Sequence, residues 1–244
     1  MFDYIKANQD LVQTILAIVF SVSLLILSIL AYKYESRTKG NGEKIKKMVT
    51  LSILAAISVV LYLFVKFPMN WILPFIPGFL DVQFSSLPVY IGGFMFGPIS
   101  GTLITIIRFL VKLPNTQTAG VGELADFIIG FASVLVSSMI YHHHKTKRGA
   151  IIALISIVVS WTVTAIIINW TFILEFYMNF FGFDAIFGML TTIPGITADN
   201  YMTYYILIAV IPFNLILSSL VSIITYIVYK RLSMIYRDIH INKG

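Results

Sequence analysis

Long apolar runs with few charges dominate this sequence and restrict the folds open to it. Of its 244 residues, 58% are hydrophobic and 11% are charged, and the mean hydropathy is +0.90. A water-soluble domain carries roughly a quarter charged residues, so most of this surface must face a non-polar solvent. A helix of about 20 apolar residues crosses the hydrocarbon core of a bilayer. The sequence therefore predicts an all-α integral membrane protein.

Charge clusters and Gly/Pro breaks divide the apolar runs into predicted helical segments. These are 11–32, 48–66, 82–95, 99–113, 121–141, 150–178 and 203–229. The first lacks a preceding basic stretch and a following cleavage site, so we predict a retained membrane helix rather than a signal peptide. The third and fourth are short and are separated by Phe96-Gly97-Pro98, which breaks a helix. We expect these two to pack inside the bundle, where protein can satisfy irregular backbone.

The distribution of lysine and arginine predicts the orientation in the membrane. Basic residues cluster in 33–47, in 145–148 and in 230–243, whereas 67–81, 114–120 and 179–202 contain none. The positive-inside rule places the three basic clusters in the cytoplasm. A multi-pass protein with seven crossings then has an external N-terminus and a cytoplasmic C-terminus. The net charge of +6 is read as this topology signal and not as a nucleic-acid surface.

Several chemistries are excluded or disfavoured by the residues. There is no cysteine, so disulfides and thiolate metal sites are excluded. His142, His143 and His144 are consecutive, point in different directions on a helix, and are expected at headgroup level rather than on a metal. Neither a phosphate-binding Gly-rich loop nor a catalytic triad is visible. We predict no enzyme activity, cofactor or metal.

The segment 67–81 is unusual for an external loop. It holds three prolines and many large apolar side chains, so it cannot be a helix interior and is too apolar to be freely solvated. It is expected either to fold over the outer mouth of the bundle as a lid or to anchor aromatic residues at the membrane interface.

Four stretches resemble the substrate-binding subunits, or S components, of energy-coupling factor (ECF) vitamin transporters, and most closely the riboflavin type. They are Thr50–Leu61 leading to Lys66-Phe-Pro68, Gln83–Pro88 followed by Phe94–Gly101, Val121–Gly130, and Ile211-Pro-Phe-Asn214 running into Tyr229–Leu232. The resemblance covers 48–232. It implies a six-helix S-component bundle, here preceded by one extra transmembrane helix. The predicted units are 1–47, an extra N-terminal helix and basic cytoplasmic linker, then 48–232, the substrate-binding membrane domain, and 233–244, a cytoplasmic tail.

Charged residues inside the predicted spans are candidates for ligand contact or for structural pairing. Glu123 and Asp126 are three residues apart on one helix, so they lie on neighbouring positions of the same face. The dipole at the helix N-terminus favours such acidic residues. Arg108, in the preceding segment, is the predicted partner of one of them. Pairing between these groups and contact with a ligand both remain open.

Amides and aromatic residues are the other candidates for substrate binding. Asn169 and Asn214 lie near the external ends of two predicted helices, and the resemblance also implies ligand contacts there. Their amides both donate and accept, which suits a heterocycle edge, although amides also join helices in bundles. Further candidates for the pocket, which could instead be interface residues, are Gln83, Phe84, Trp71 and Trp170.

Small residues predict a docking surface on the first core helix. Ser52 and Ala56 are four residues apart with Ala55 beside them, a spacing that lets two helices approach closely in lipid. The resemblance implies docking there on a membrane coupling subunit (EcfT-like). Packing within the bundle is the alternative.

The predicted function is capture of a vitamin from outside and its inward transfer, powered by the coupling subunit and two ATP-binding subunits. Riboflavin or a related flat heterocycle is the first choice of ligand. The riboflavin-type pattern places a lysine three residues after the asparagine of Pro-Phe-Asn, where this chain has Leu217. Pantothenate, pyridoxine or a thiamine pyrimidine precursor therefore stays open as ligand. A proton-coupled secondary transporter using Asp126 or Glu123 is the alternative mechanism.

Overall fold

A computed structural model describes residues 9–38, 40–116 and 118–241 of the chain. Its helices, in chain order, are α1 (Gln9–Ala31), α2 (Asn41–Phe64), α3 (Leu87–Phe96), α4 (Pro98–Lys112), α5 (Val121–His143), α6 (Lys147–Ile168), α7 (Leu174–Phe181), α8 (Phe183–Leu190), α9 (Tyr201–Tyr204) and α10 (Ile211–Ile241). Two short strands, β1 (Lys66–Pro68) and β2 (Asp81–Gln83), pair antiparallel between α2 and α3. Five helical stretches within the described residues are long and apolar enough to cross a membrane.

Two of these long helices each contain a π-helical turn. The turn Asn169–Ile173 joins α6 to α7, and the turn Tyr205–Val210 joins α9 to α10. Pro212 gives a physical reason for the second, because proline lacks an N–H and its ring crowds the carbonyl four residues earlier. A π turn widens a helix locally and is frequent at functional sites. Both turns lie where the sequence predicted unbroken helices.

The break between α3 and α4 depends on Gly97, whose φ of 115° is unfavourable for other residues. Pro98 begins α4, and the carboxylate of Glu35 accepts hydrogen bonds from the N–H groups of Ile99 and Ser100 at 2.9 and 3.2 Å. An acidic side chain at this position also complements the helix dipole. Lys47 Nζ lies 2.7 Å from Glu35 Oε1, so the basic linker is tied to the start of α4.

The basic clusters lie at one end of the bundle. Ser36 N donates to Phe96 O at 2.9 Å, the ring of Tyr34 lies against His143, and the hydroxyls of Tyr141 and Tyr229 are 2.8 Å apart. The linker and the ends of α5 and α10 are therefore neighbours, while the β-hairpin lies at the opposite end of α2. Lys39 and Lys243 of the predicted basic clusters fall outside the described residues.

The hairpin segment partly covers the bundle. Met69 and Ile76 are buried, whereas Trp71 is 75% exposed. The ring of Trp71 stacks on Phe67 with the centroids 6.4 Å apart. One segment thus folds back onto the helices, as a lid would, and also presents an aromatic ring outward, as an interface anchor would.

Boundaries of the predicted segments agree with the structure except at four places. The helix α10 continues beyond the predicted end at 229 to Ile241, so it includes most of the predicted tail 233–244. Residues 82–86, assigned to the third segment, form β2 and a turn, because Pro88 sets the start of α3. The helix α2 begins at Asn41 and includes much of the predicted linker. The predicted external loop 179–202 contains the end of α7 and the short helix α8.

We expect close contact between α3 and α4 to be sensitive to one methyl group. A Cβ on Gly101 would lie 3.0 Å from both Gly93 Cα and Val89 O, whereas a Cβ on Gly188 would meet nothing within 4 Å. Gly101→Ala should destabilise by about 1–3 kcal/mol through overpacking, and Gly188→Ala should stay within about 0.5 kcal/mol of the parent. Thermal unfolding of both variants in detergent tests this, and equal midpoints would contradict it.

Candidate ligand-binding site

A cavity opens at the hairpin end of the bundle. Its volume is about 460 Å³, and it is lined by α2, the hairpin, α4, α5, both π turns and the start of α10. This volume is in the range of small-molecule sites, about 300–1,000 Å³. Residues from the two hydrophobic clusters of the core, including Trp161 and Phe213 of one and Tyr177 and Tyr205 of the other, line the same space.

Two asparagines form one wall of the cavity. The Nδ2 of Asn169 donates to Ala165 O and the Nδ2 of Asn214 donates to Val210 O, both at 2.8 Å. Tyr205 donates its hydroxyl to Asn169 Oδ1 at 2.9 Å, and Trp161 donates Nε1–H to Asn214 Oδ1 at 2.8 Å. Both amides are therefore held in fixed orientations. An amide carries two N–H groups and two oxygen lone pairs, and these contacts use one of each.

Another part of the cavity wall contains a buried carboxylate close to two cations. Arg108 Nη2 and Lys112 Nζ lie 2.9 and 3.1 Å from Asp126 Oδ2. Gln83 donates from Nε2 to Asp126 Oδ1 at 3.0 Å. The predicted pairing of Arg108 with an acidic residue is thus present, and its partner is Asp126. Because burial of an unpaired charge is costly, this network needs all its members.

Arg108 lies behind the cavity wall rather than on it. Its Nη1 donates to Ser85 Oγ at 2.9 Å and to Ser86 Oγ at 3.0 Å. Ser58 of α2 in turn donates to Ser85 O at 2.5 Å. Arg108 therefore links α4 to the turn before α3, and through Asp126 it orients the groups that do line the cavity.

Lys112 is a cavity residue that the sequence analysis did not single out. Its side chain is 1% exposed, and its Nζ lies 3.0 Å from the centroid of the Tyr62 ring, which is a cation–π contact. A signal was available, because Lys112 follows Arg108 by four residues and so shares its helix face. The sequence alone did not show that this end of α4 faces inward.

Glu123 also lines the cavity, but its carboxylate is held by the preceding loop. Its Oε2 accepts hydrogen bonds from the hydroxyls of Thr116 at 2.7 Å and Thr118 at 2.8 Å. The two acidic residues predicted on α5 therefore have different surroundings, since Asp126 is paired with cations and Glu123 with hydroxyls.

A third carboxylate lines the cavity at the hairpin. Burial raises the pKa of Asp81, and nearby Lys66 partly offsets this by lowering it.

Aromatic rings complete the site. The ring of Phe79, from the hairpin segment, lies 6.0 Å from that of Tyr177 and 6.1 Å from that of Tyr205. Sequence reasoning missed these three and Trp161, since many aromatic residues occur along the chain and nothing local distinguishes the inward-facing ones.

The remaining residues predicted for binding or docking lie in different parts of the structure. Gln83 lines the cavity, whereas Phe84, Trp71 and Trp170 are absent from its wall. Phe84 packs against the inner core, and the carbonyl of Trp170 accepts a hydrogen bond from Gln13. On α2, Ser52 and Ala56 are exposed, while Ala55 is 3% exposed and faces the bundle.

Comparison with known proteins agrees with this architecture. The family model described as "ECF transporter, substrate-specific component" matches residues 46–229. The chain belongs to this family. It is 30% identical to riboflavin transporter RibU of Staphylococcus aureus, over 81% of this chain and 95% of that protein. It is 24% identical to riboflavin transporter FmnP of Bacillus subtilis, over 78% and 93%.

A solved S component of a bacterial ECF transporter has a similar fold. The TM-score is 0.52 at 28% identity, and the match covers 79% of this chain and 98% of that one. The predicted family, the all-α membrane fold and the role as the substrate-specific subunit of an ECF transporter are thereby confirmed. The chain is a multi-pass membrane transporter component, and the family match begins after α1.

Removal of the Asp126 carboxylate should destabilise this S component strongly. Asp126→Leu leaves two buried cations without their counter-charge, which costs about 3–5 kcal/mol. Asp126→Asn keeps an oxygen acceptor and should cost less. Arg108→Leu combined with Asp126→Leu should recover part of the loss. Thermal unfolding in detergent compares the three, and a double variant no more stable than Asp126→Leu would contradict the pairing argument.

Proposed function

We propose that the cavity binds riboflavin or a closely related flat heterocycle from outside the cell. The observation that carries the proposal is the pair of pinned amides, Asn169 and Asn214, which face one cavity with spare donors and acceptors. Aromatic rings of Tyr177 and Tyr205 beside them suit stacking on a planar ring. The names of the relatives, both riboflavin transporters, support the same ligand class.

Besides the asparagines, the proposed ligand meets a second group of polar residues. Lys112, Gln83 and Asp126 offer both donors and acceptors there, which suits a ring edge or a polyhydroxyl chain. Leu217 lines the cavity too, at the position where the riboflavin-type pattern carries lysine. Among the described residues, the lysines that line the cavity are Lys112 of α4 and Lys66 of β1, and neither comes from α10. This difference keeps a different vitamin as the alternative ligand.

The small molecule that accompanies the purified protein tests the ligand. We expect a yellow preparation with flavin absorption bands, and mass spectrometry of the released compound should identify riboflavin or a derivative. Release of pantothenate, pyridoxine or a thiamine precursor instead would keep the transporter class and replace the ligand.

Substitution of the asparagines tests the site. Asn169→Leu and Asn214→Leu each remove a hydrogen-bonding group facing the ligand and should weaken riboflavin binding roughly 10- to 100-fold. Asn179→Leu is the matched control, because Asn179 is exposed on α7 away from the cavity. Quenching of riboflavin fluorescence measures the affinities. Equal affinity of all three variants would rule out this cavity as the riboflavin site.

We further propose that a membrane coupling subunit and two ATP-binding subunits drive transport, since no ATP-binding loop is visible in the sequence. With the basic clusters facing the cytoplasm, the C-terminus is cytoplasmic and the cavity opens outward. In this scheme residues 48–232 are the substrate-binding membrane domain, 1–47 the added helix and linker, and 233–244 a cytoplasmic tail.

Docking on the coupling subunit is assigned to the exposed small residues Ser52 and Ala56. Ser52→Leu or Ala56→Trp should abolish copurification of the ATP-binding subunits while riboflavin binding stays intact, because both side chains point away from the cavity. Ser23→Leu, on the exposed face of α1, is the control. Proton-driven uptake by the isolated protein, with no ATPase recovered, would overturn the coupled mechanism and favour a secondary transporter.

A further inference from the structure

The added helix α1 makes a specific polar contact with the ligand-binding bundle. Among its side chains at 11–31, Gln13 and Ala31 are the buried ones, and the rest face outward wholly or in part. Gln13 is 5% exposed. An amide buried in a membrane protein must find hydrogen-bond partners, since lipid offers none. The partners of Gln13 therefore show how α1 is seated.

One partner lies in the π turn that carries Asn169, and the other lies on α7 directly after that turn. The Nε2 of Gln13 donates to Trp170 O at 2.8 Å and to Glu175 Oε1 at 3.0 Å. The first acceptor is a backbone carbonyl within the turn, and the second is a side-chain carboxylate in the first turn of α7. Within the same turn, Leu174 N donates to Asn169 O. Gln13 thus connects the widened turn to the start of α7 from outside.

A second contact acts on the same wall of the cavity. Phe20 of α1 packs against the hydrophobic cluster that contains Ile173, Tyr177 and Tyr205. Those three residues also line the cavity, and Tyr205 donates to Asn169. The helix α1 therefore braces the polar turn through Gln13 and the aromatic wall through Phe20.

We propose that α1 is a clamp on the substrate site and that Gln13 is a positioning residue for Asn169. By fixing the π turn, Gln13 holds the Asn169 amide in its binding orientation before the ligand arrives. Preorganisation of this kind lowers the free-energy cost of ordering the site on binding. The expected change in ligand affinity rests on the proposed function. The expected change in the π turn does not depend on which ligand binds.

Gln13→Leu tests the clamp, because leucine is of similar size and cannot donate. We expect riboflavin affinity to fall about five- to tenfold. Amide hydrogen exchange should rise in residues 169–175 and stay unchanged in the distant part of α5. Ser23→Ala is the control on the same helix, since the Ser23 hydroxyl bonds its own helix at Val19 O. Wild-type affinity together with wild-type exchange in Gln13→Leu overturns the proposal.

Glu175 gives a second approach if Gln13→Leu does not fold. Glu175→Gln retains an oxygen that accepts from Gln13, whereas Glu175→Leu removes it. The leucine variant should bind riboflavin at least about threefold more weakly than the glutamine variant and exchange faster at 169–175. Identical behaviour of the two overturns the clamp.

The outcomes separate the two proposals. If the parent protein binds no riboflavin, the proposed ligand fails, and hydrogen exchange at 169–175 still decides the clamp. If the parent binds and the Gln13 and Glu175 variants match it in affinity and exchange, the clamp fails and the ligand assignment stands.

Discussion

The structure depends on the cost of holding charge inside a bundle surrounded by lipid. Arg108 and Lys112 are almost completely buried, and Asp126 is close to both. Since none of these charges can be left alone at low dielectric, their pairing fixes α4 against α5. Through Ser85, Ser86 and Gln83 the same network reaches the hairpin and the start of α3. This network of charges thus fixes the positions of α3 and α4 and of one wall of the cavity.

The other wall is built by departures from regular helix. Two π turns place Asn169 and Tyr205 at the cavity, and the residues that pin the asparagines come from neighbouring helices. Irregular backbone in a membrane protein is tolerated where protein groups satisfy it. Gln13 of α1 supplies such a group, so the helix outside the family match contacts the part of the bundle where regular hydrogen bonding is interrupted. Because lipid cannot hydrogen-bond polar groups, these groups are held inside the bundle and the outer surface is apolar.

Prediction from the sequence succeeded where the signal was periodic or compositional. The apolar runs gave the membrane class and most helix boundaries, and the prolines of 67–81 excluded a helix there. It succeeded less well for the site, because the direction of a side chain depends on helix rotation. Asn169, Asn214, Gln83, Glu123 and Asp126 line the cavity as predicted for pocket residues. Trp71 faces outward, although the aromatic Phe79 of the same hairpin segment lines the cavity. Lys112 shows the converse, since the sequence did not single it out and the fold turns it into the cavity.

By itself, the sequence determined that this chain is a bundle of helices in a bilayer, because it has too few charged residues for a surface exposed to water. It also determined the family, through motifs spread in order along the chain. Only the tertiary structure decided which polar groups converge on the cavity and that Asp126 pairs with both cations. The physical reason is that hydropathy and charge placement are additive along a chain, whereas burial and pairing are set by contacts between residues far apart in sequence.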